Sequence, residues 1–277
     1  MSRKFAHHNS LASVISMGCK AAAAVWFVTL SGAVGLADPP KALAVINAAG
    51  SGTVVASGSI ASAFGKQIGA STEAAHSLPL QTTLGGVSVS VMDSAKVSRL
   101  APLFYVSPNQ INFVVPDATA TGMATVTIMN GDPMPPSTMV LVTAVAPGLF
   151  TANSQGTGVA AAIAIRRIIA TQTDTEVPVF HCDANACSSA PIDLDDASNV
   201  FLELFGTGIR GRTSLANVHA TIGGTAVVVL FAGAQGQFPG LDQVNLMLPL
   251  TLKAKGETDV VLTVDGQLAN KVRVNIH

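Results

Sequence analysis

The chain predicts an all-β protein built as two tandem antiparallel sandwiches behind a removable leader, and three observations carry that prediction. Apolar residues alternate with Ser and Thr in short β-branched runs, glycine-centred dipeptides punctuate those runs, and the order of motifs in the first half returns in the second. Alternation with a period of two marks a half-buried strand. Turn signals spaced roughly every 8–12 residues, with few helical periods between them, suit a sandwich rather than βαβ units.

The leader comes first. Met1–Lys20 carries Arg3, Lys4 and Lys20 and no acid, Ala21–Leu36 is uncharged and mostly apolar, and Gly35-Leu36-Ala37 puts small residues at −3 and −1 before Asp38. Basic, then apolar, then small is the order of a secretory signal peptide, so residues 1–37 are expected to be removed on export. The alternative, a membrane anchor, needs a span of about 20 apolar residues, and this run is shorter. Cys19 precedes the apolar run, the wrong side for a lipidation cysteine. Without the leader the chain keeps all 16 acids and 12 of its 15 bases, a net charge near −4. No basic patch can neutralise phosphates, so nucleic acid is not an expected partner, and membrane contact is expected only through the leader.

The strands follow. Val87, Val89 and Val91 alternate with Ser88 and Ser90; Val126 and Ile128, then Val140 and Val142, repeat the pattern; VFLELFG, AVVVLFAG, VVLTV and KVRVNI do so in the second half. Gly85-Gly86, Asn130-Gly131, Gly223-Gly224 and Asp265-Gly266 tolerate positive φ at two successive residues, the demand of a two-residue hairpin. Pro116 and Pro249 each close a strand, because proline cannot donate to the ladder. The expectation is about seven strands per half. Val159–Ala170 has helical alanine content but lies between Gly156, Gly158 and the polar TQTDT; the reading is strand–turn–strand, with TQTDT as the turn.

The duplication is read from four ordered matches. Gly85-Gly86 answers to Gly223-Gly224, Gln110-Ile-Asn112 with Pro116 to Gln243-Val-Asn245 with Pro249, Asn130-Gly131 to Asp265-Gly266, and Ala63-Phe64-Gly65 to Leu204-Phe205-Gly206. The offsets drift about a spacing of roughly 135 residues, the size of a small domain rather than a solenoid repeat. The expected domains are 38–146 and 147–277. In the repeated Gln-x-Asn strand the apolar residues are expected to form an inward row, with both amides turned outward or tying down a neighbouring loop.

In order, TTLGGVSV, APLFYVSPNQINFVVP, APGLFTANSQGTG, LELFGTGIRGR, FAGAQGQFPGLDQVNLMLP and VDGQLANKVRVNI resemble the Solibacter-type uncharacterised C-terminal domain of exported bacterial proteins, over roughly residues 42–277. The resemblance implies a pair of immunoglobulin-like sandwiches of the IPT/TIG type and export. It implies no catalytic residue, cofactor or ligand.

Candidates for chemistry are few. His181-Cys182-Asp183-Ala184-Asn185-Ala186-Cys187 is read as a disulfide between Cys182 and Cys187, because an exported chain that sheds Cys19 is left with an even count. The alternatives are a thiolate metal site with His181, or a cysteine nucleophile; neither a second ligand cluster nor a base–orienter pair accompanies them. The acids Asp183, Asp193, Asp195 and Asp196 offer oxygen ligands for calcium but lack EF-hand spacing, and a solvated loop is the simpler reading. Gly206-Thr-Gly208-Ile-Arg210-Gly211 imitates a dinucleotide loop without the helix and βαβ unit that would make it one; Arg210 and Arg212 there are read as solvated loop charges, the alternative being contact with an acidic polymer. His76, His219 and His277 stand in no nucleophile context.

The function these readings support is a non-enzymatic exported module for structural or adhesive interaction at the cell envelope or outside the cell, with polysaccharide or envelope protein as the partner class and no cofactor. Scarce aromatics argue against a strong sugar-stacking platform. The alternatives are a metal- or cysteine-dependent hydrolase centred on His181–Cys187, and a ligand-free spacer.

Overall fold

The computed structural model describes residues 42–50, 52–184 and 186–277; the leader lies outside them. The regular structure of the described chain is β-strand, apart from short 3-10 turns at Leu215–Asn217 and Leu250–Leu252. Elements run β1 (Leu43–Asn47), β2 (Val54–Ala56), β3 (Ile60–Gly65), β4 (Glu73–Ala74), β5 (Thr83–Leu84), β6 (Val87–Met92), β7 (Ser98–Leu100), β8 (Leu103–Val106), β9 (Gln110–Val114), β10 (Gly122–Met129) and β11 (Ser137–Thr143) in the first half. The second half has β12 (Gly148–Leu149), β13 (Ala162–Ile168), β14 (Asp174–Pro178), β15 (Phe180–Cys182), β16 (Cys187–Ser189), β17 (Pro191–Ile192), β18 (Ser198–Thr207), β19 (Val218–Ile222), β20 (Thr225–Ala234), β21 (Asp242–Leu248), β22 (Gly256–Val264), β23 (Gln267–Leu268) and β24 (Val272–Ile276).

In the first half a sheet ordered β1-β3-β9-β8-β4 faces one ordered β2-β11-β10-β6-β5, with β7 beside β6. Their inner faces share one core, in which Ile111 and Phe113 of β9 meet Val87, Val89, Val126, Ile128 and Val140. In the second half a single sheet is folded over: β14-β13-β18-β21-β20 continues through β20 into β19-β22-β24-β17. Leu202, Leu204, Val244 and Leu246 from one side pack with Val218, Ile222, Leu262 and Val274 from the other. Each half places a short strand parallel to its last long strand, β2 beside β11 and β17 beside β24. These are two tandem immunoglobulin-like sandwiches.

The repeated sequence motifs occupy equivalent places. Ala63-Phe64-Gly65 and Leu204-Phe205-Gly206 lie on β3 and β18, in the same register against the Gln-x-Asn strand: Phe64 opposes Gln110, and Phe205 opposes Gln243. Gly85-Gly86 and Gly223-Gly224 both turn two-residue hairpins, with φ of 56° and 73° in the first and 55° and 76° in the second. Asp265-Gly266 makes the third such turn.

Three sequence expectations need correction. Asn130-Gly131 does not make a two-residue hairpin. β10 and β11 are joined by a longer loop in which Gly131, but not Asn130, takes positive φ, and the Asn130 side chain reaches the carbonyls of Gln67 and Ile68 instead. The strands are shorter and more numerous than seven per half. The second copy also adds β14 and the β15–β16 hairpin between β13, which holds β1's place and register beside β18, and β17, which holds β2's place; drift in motif offset conceals that addition. A strand–turn–strand does stand there, but the strand expected at Val177–Cys182 is split: β14 begins at Asp174, inside TQTDT, and ends at Pro178, and Phe180–Cys182 belongs to β15.

Candidate binding face around the second Gln-x-Asn strand

Residues two apart on a strand share a face, so the Gln and Asn of the repeat stand side by side. In both copies they bond each other: Gln110 Nε2 donates to Asn112 Oδ1 at 3.0 Å, and Gln243 Nε2 to Asn245 Oδ1 at 2.7 Å. Both asparagines oppose an aromatic residue just past a register shift in the next strand, Tyr105 in β8 and Phe231 in β20. On their other side lie Ser62 and Glu203. In the first copy Gln110 and Asn112 alternate with the core residues Ile111 and Phe113 and are themselves buried, and Ser62 Oγ donates to Asn112 Oδ1 at 2.8 Å. A fully hydrogen-bonded amide pair can be buried without the cost of an orphaned polar group.

The second copy is open. Gln243, Asn245 and Glu203 are half-buried, and the register surrounds them with apolar residues. One row across the face runs Ile165, Phe201, Met247, Val228; the next runs Ile163, Glu203, Asn245, Phe231. Phe231, Met247, Val228 and Leu230 are exposed. The Arg167 guanidinium lies 5.6 Å from the Phe201 ring centroid and is held by two bonds to Asp174; those bonds hold the Asp174 carboxyl below its ordinary range. Arg212 packs where Gly233 leaves room beside the Phe231 ring, and its Nε is buried with no hydrogen-bond partner among the described residues. The face thus combines amide and carboxylate groups with apolar rings, on a rigid sheet.

Elsewhere the candidate residues have structural partners. Cys182 and Cys187 form a disulfide that closes the β15–β16 hairpin, with Asp183 Oδ1 accepting from Ala186 N in its turn. An oxidised pair presents no thiolate for attack or metal binding. His181 is exposed on the opposite face of β15. Asp195 is engaged by the Ser198 hydroxyl and by Arg166, which also donates to the Asp193 carbonyl; the Ser198 hydrogen bond first, then Arg166, lowers its pKa. Asp193 lies 4.0 Å from His277, and Asp196 stays on the surface. Among the described residues no cluster of three or more His, Cys, Asp or Glu could hold a metal ion, and no helix is long and apolar enough to cross a membrane. Pro116 and Pro249 follow their strands, and Pro116 O accepts from Thr119.

The reading of Arg210 as a solvated charge is overturned. Arg210 Nε bonds Asp242 Oδ1 at 2.7 Å, and Asp242, fully buried, also accepts from Ile209 N. Burial pushes the Asp242 carboxyl up, against the opposing pull of Arg210. The glycines around it have a packing cause: a Cβ at Gly206, Gly208 or Gly211 would overlap the carbonyl oxygens of Gly148, Ala146 and Ala144, so the segment joining the sandwiches lies on this loop.

Sequence reasoning missed the junction itself. Thr207 Oγ1 accepts from Ile60 N of the first sandwich and donates to Gly240 O of the second, both at 2.8 Å. Asn47 Nδ2 donates to Ala146 O. Asn270 Oδ1 accepts from Leu149 N, while its amide donates to the carbonyls of Ala49, Leu149 and Gly156. These are ordinary polar residues in no local motif; the one available signal was Thr207 within a run of closely spaced glycines.

Comparison with known proteins assigns the chain to no family. No family model matches the chain, and no curated protein does. Among solved structures, it is similar to titin Ig tandem domains A164-A165 at 11% identity, covering 81% of this chain and 90% of that one with a TM-score of 0.23. It is also similar to a structure of Dpr2 Ig1-Ig2 in complex with DIP-Theta Ig1-Ig3, at 9% identity, 86% and 64% coverage and a TM-score of 0.25. Likeness this low assigns no activity or partner to the chain.

Proposed function

We propose that this chain is a non-enzymatic, exported binding module that holds an extended neutral polysaccharide on the outer face of its second sandwich. The observation that carries the reading is the divergence of one duplicated motif: the Gln–Asn pair is sealed in the first sandwich and open, beside Phe231 and Glu203, in the second. Sugar hydroxyls pair with amide and carboxylate groups, and pyranose faces pack on flat apolar rings; both kinds of group stand here on one rigid surface. A net charge near −4 after loss of the leader disfavours acidic polymers. The face carries more aromatic surface than composition suggests, because Phe201 and Phe231 fall on one side of one sheet.

The finer assignments belong to the same proposal: residues 1–37 as a cleaved signal peptide, domains at 38–146 and 147–277, membership of the Solibacter-type family, and action at the envelope or outside the cell. The Cys182–Cys187 disulfide supports an oxidising compartment. The test is affinity electrophoresis of the protein through gels holding soluble neutral glycans, a β-glucan, a xylan and a galactomannan. Retardation by one of them, weakened roughly tenfold in Phe231→Ala and Asn245→Ala but not in Asn112→Ala, is the expected result. No retardation by any glycan overturns the polysaccharide reading and leaves a protein partner or a spacer.

A further inference from the structure

The geometry points to a soft-metal site on the outer face of the first sandwich: Met92, Met123 and Met139 form a thioether triangle suited to a monovalent ion of the Cu(I) or Ag(I) class. β10 is the middle strand of β11-β10-β6, and its Thr125 opposes Met139 on one side and Met92 on the other. Met123 lies two residues along β10 on the same face, so both other methionines are its diagonal neighbours. With strands about 4.8 Å apart and about 3.4 Å per residue, the three Cα positions fall within roughly 5 Å of a common centre. A methionine side chain with three rotatable bonds covers that distance to a shared ion. Met139 is 63% and Met123 46% exposed, and Met92 is half-buried, so an ion can reach all three from solvent.

The surroundings select for softness. The strands β6, β10 and β11 contain no charged residue and no histidine; apart from these methionines, Met129 and Leu141, their outer face is Ser and Thr. Asp93, next to Met92 in the chain, is paired with Arg99 at 2.7 Å. A hard cation finds no carboxylate there, whereas thioether sulfur prefers Cu(I)-like ions. Nor does this concentration follow from composition: of the six methionines beyond the leader, Met92, Met123, Met129, Met134 and Met139 all belong to β6, β10, β11 or the β10–β11 loop.

The test uses the full chain in a Cys19→Ser background with the Cys182–Cys187 bond intact. Ag(I), which needs no reductant, is titrated against a competing chromophoric chelator, and X-ray absorption reports the ligands. One ion per chain with sulfur scattering is expected, with at least a tenfold loss of affinity in the triple variant Met92→Leu, Met123→Leu, Met139→Leu, and no loss in Met247→Leu. Leucine conserves apolar volume, so these variants fold; circular dichroism checks that they do. Failure of Ag(I) to compete with the chelator overturns the site, as does a triple variant that binds like the parent. Neither outcome bears on glycan retention by the second sandwich.

Discussion

Replacing Thr207 by valine should uncouple the two sandwiches with almost no change of shape. Thr207 is wholly buried, and its hydroxyl is the shared partner of the Ile60 amide and the Gly240 carbonyl, both buried as well. Valine fills the same volume and leaves both groups orphaned. An unsatisfied buried donor or acceptor costs about 1–3 kcal/mol, so the pair costs about 2–4 kcal/mol after partial relaxation, less the small gain from burying one more methyl. For a protein of this size each kcal/mol moves Tm by about 2–4 °C, which puts the shift near 5–15 °C. Thr207→Ser keeps the hydroxyl and loses a methyl, costing about 1 kcal/mol. Urea unfolding followed by circular dichroism and calorimetry of the parent and both variants measures these differences. The reasoning fails if Thr207→Val lies within about 0.5 kcal/mol of the parent, or if Thr207→Ser costs as much as Thr207→Val.

Two further outcomes are expected. Asp93, bonded by the backbone amides of Val97 and Ala120 and then by Arg99, has its carboxyl pKa lowered to about 2; its contribution is therefore complete above the unfolded value near 4 and lost as pH falls from about 4 through 2. Acid titration of Asp93→Asn against the parent should show the two stability curves converging across that window, and parallel curves would contradict it. Reducing the Cys182–Cys187 disulfide, or replacing both cysteines by serine, should cost at most about 2 kcal/mol because the closed loop is so short. Hydrogen exchange should rise in β15 and β16 while the amides of β18 and β21 stay protected.

Much of the architecture was legible because strand, turn and duplication are local signals. Val87-Ser-Val-Ser-Val91 announces its own faces, Gly85-Gly86 and Gly223-Gly224 announce tight turns, and the order of motifs announces two copies of one domain. The cysteine pair was legible by count and spacing. That β14 and the β15–β16 hairpin are additions to the second copy was not, since added strands alternate apolar and polar residues like those of the shared fold.

The partial legibility of the site has the same origin. Gln110-Ile-Asn112 and Gln243-Val-Asn245 read alike, and along the strand they are alike, bonding through the same pair of atoms in both copies. Periodicity put their apolar neighbours in the core. How far each amide face is covered is not encoded in the strand itself, so burial of the first pair and partial exposure of the second emerge only on folding. Arg210 likewise looks like a loop charge until Asp242, 32 residues later, is brought beside it. By itself the sequence determined two β-sandwiches, three of their tight turns and a disulfide, because each follows from residues near one another in the chain. Tertiary structure alone decided which Gln–Asn pair stays open and how Thr207, Asn47 and Asn270 join the halves, because desolvation and hydrogen-bond pairing across the chain depend on the neighbours that folding supplies.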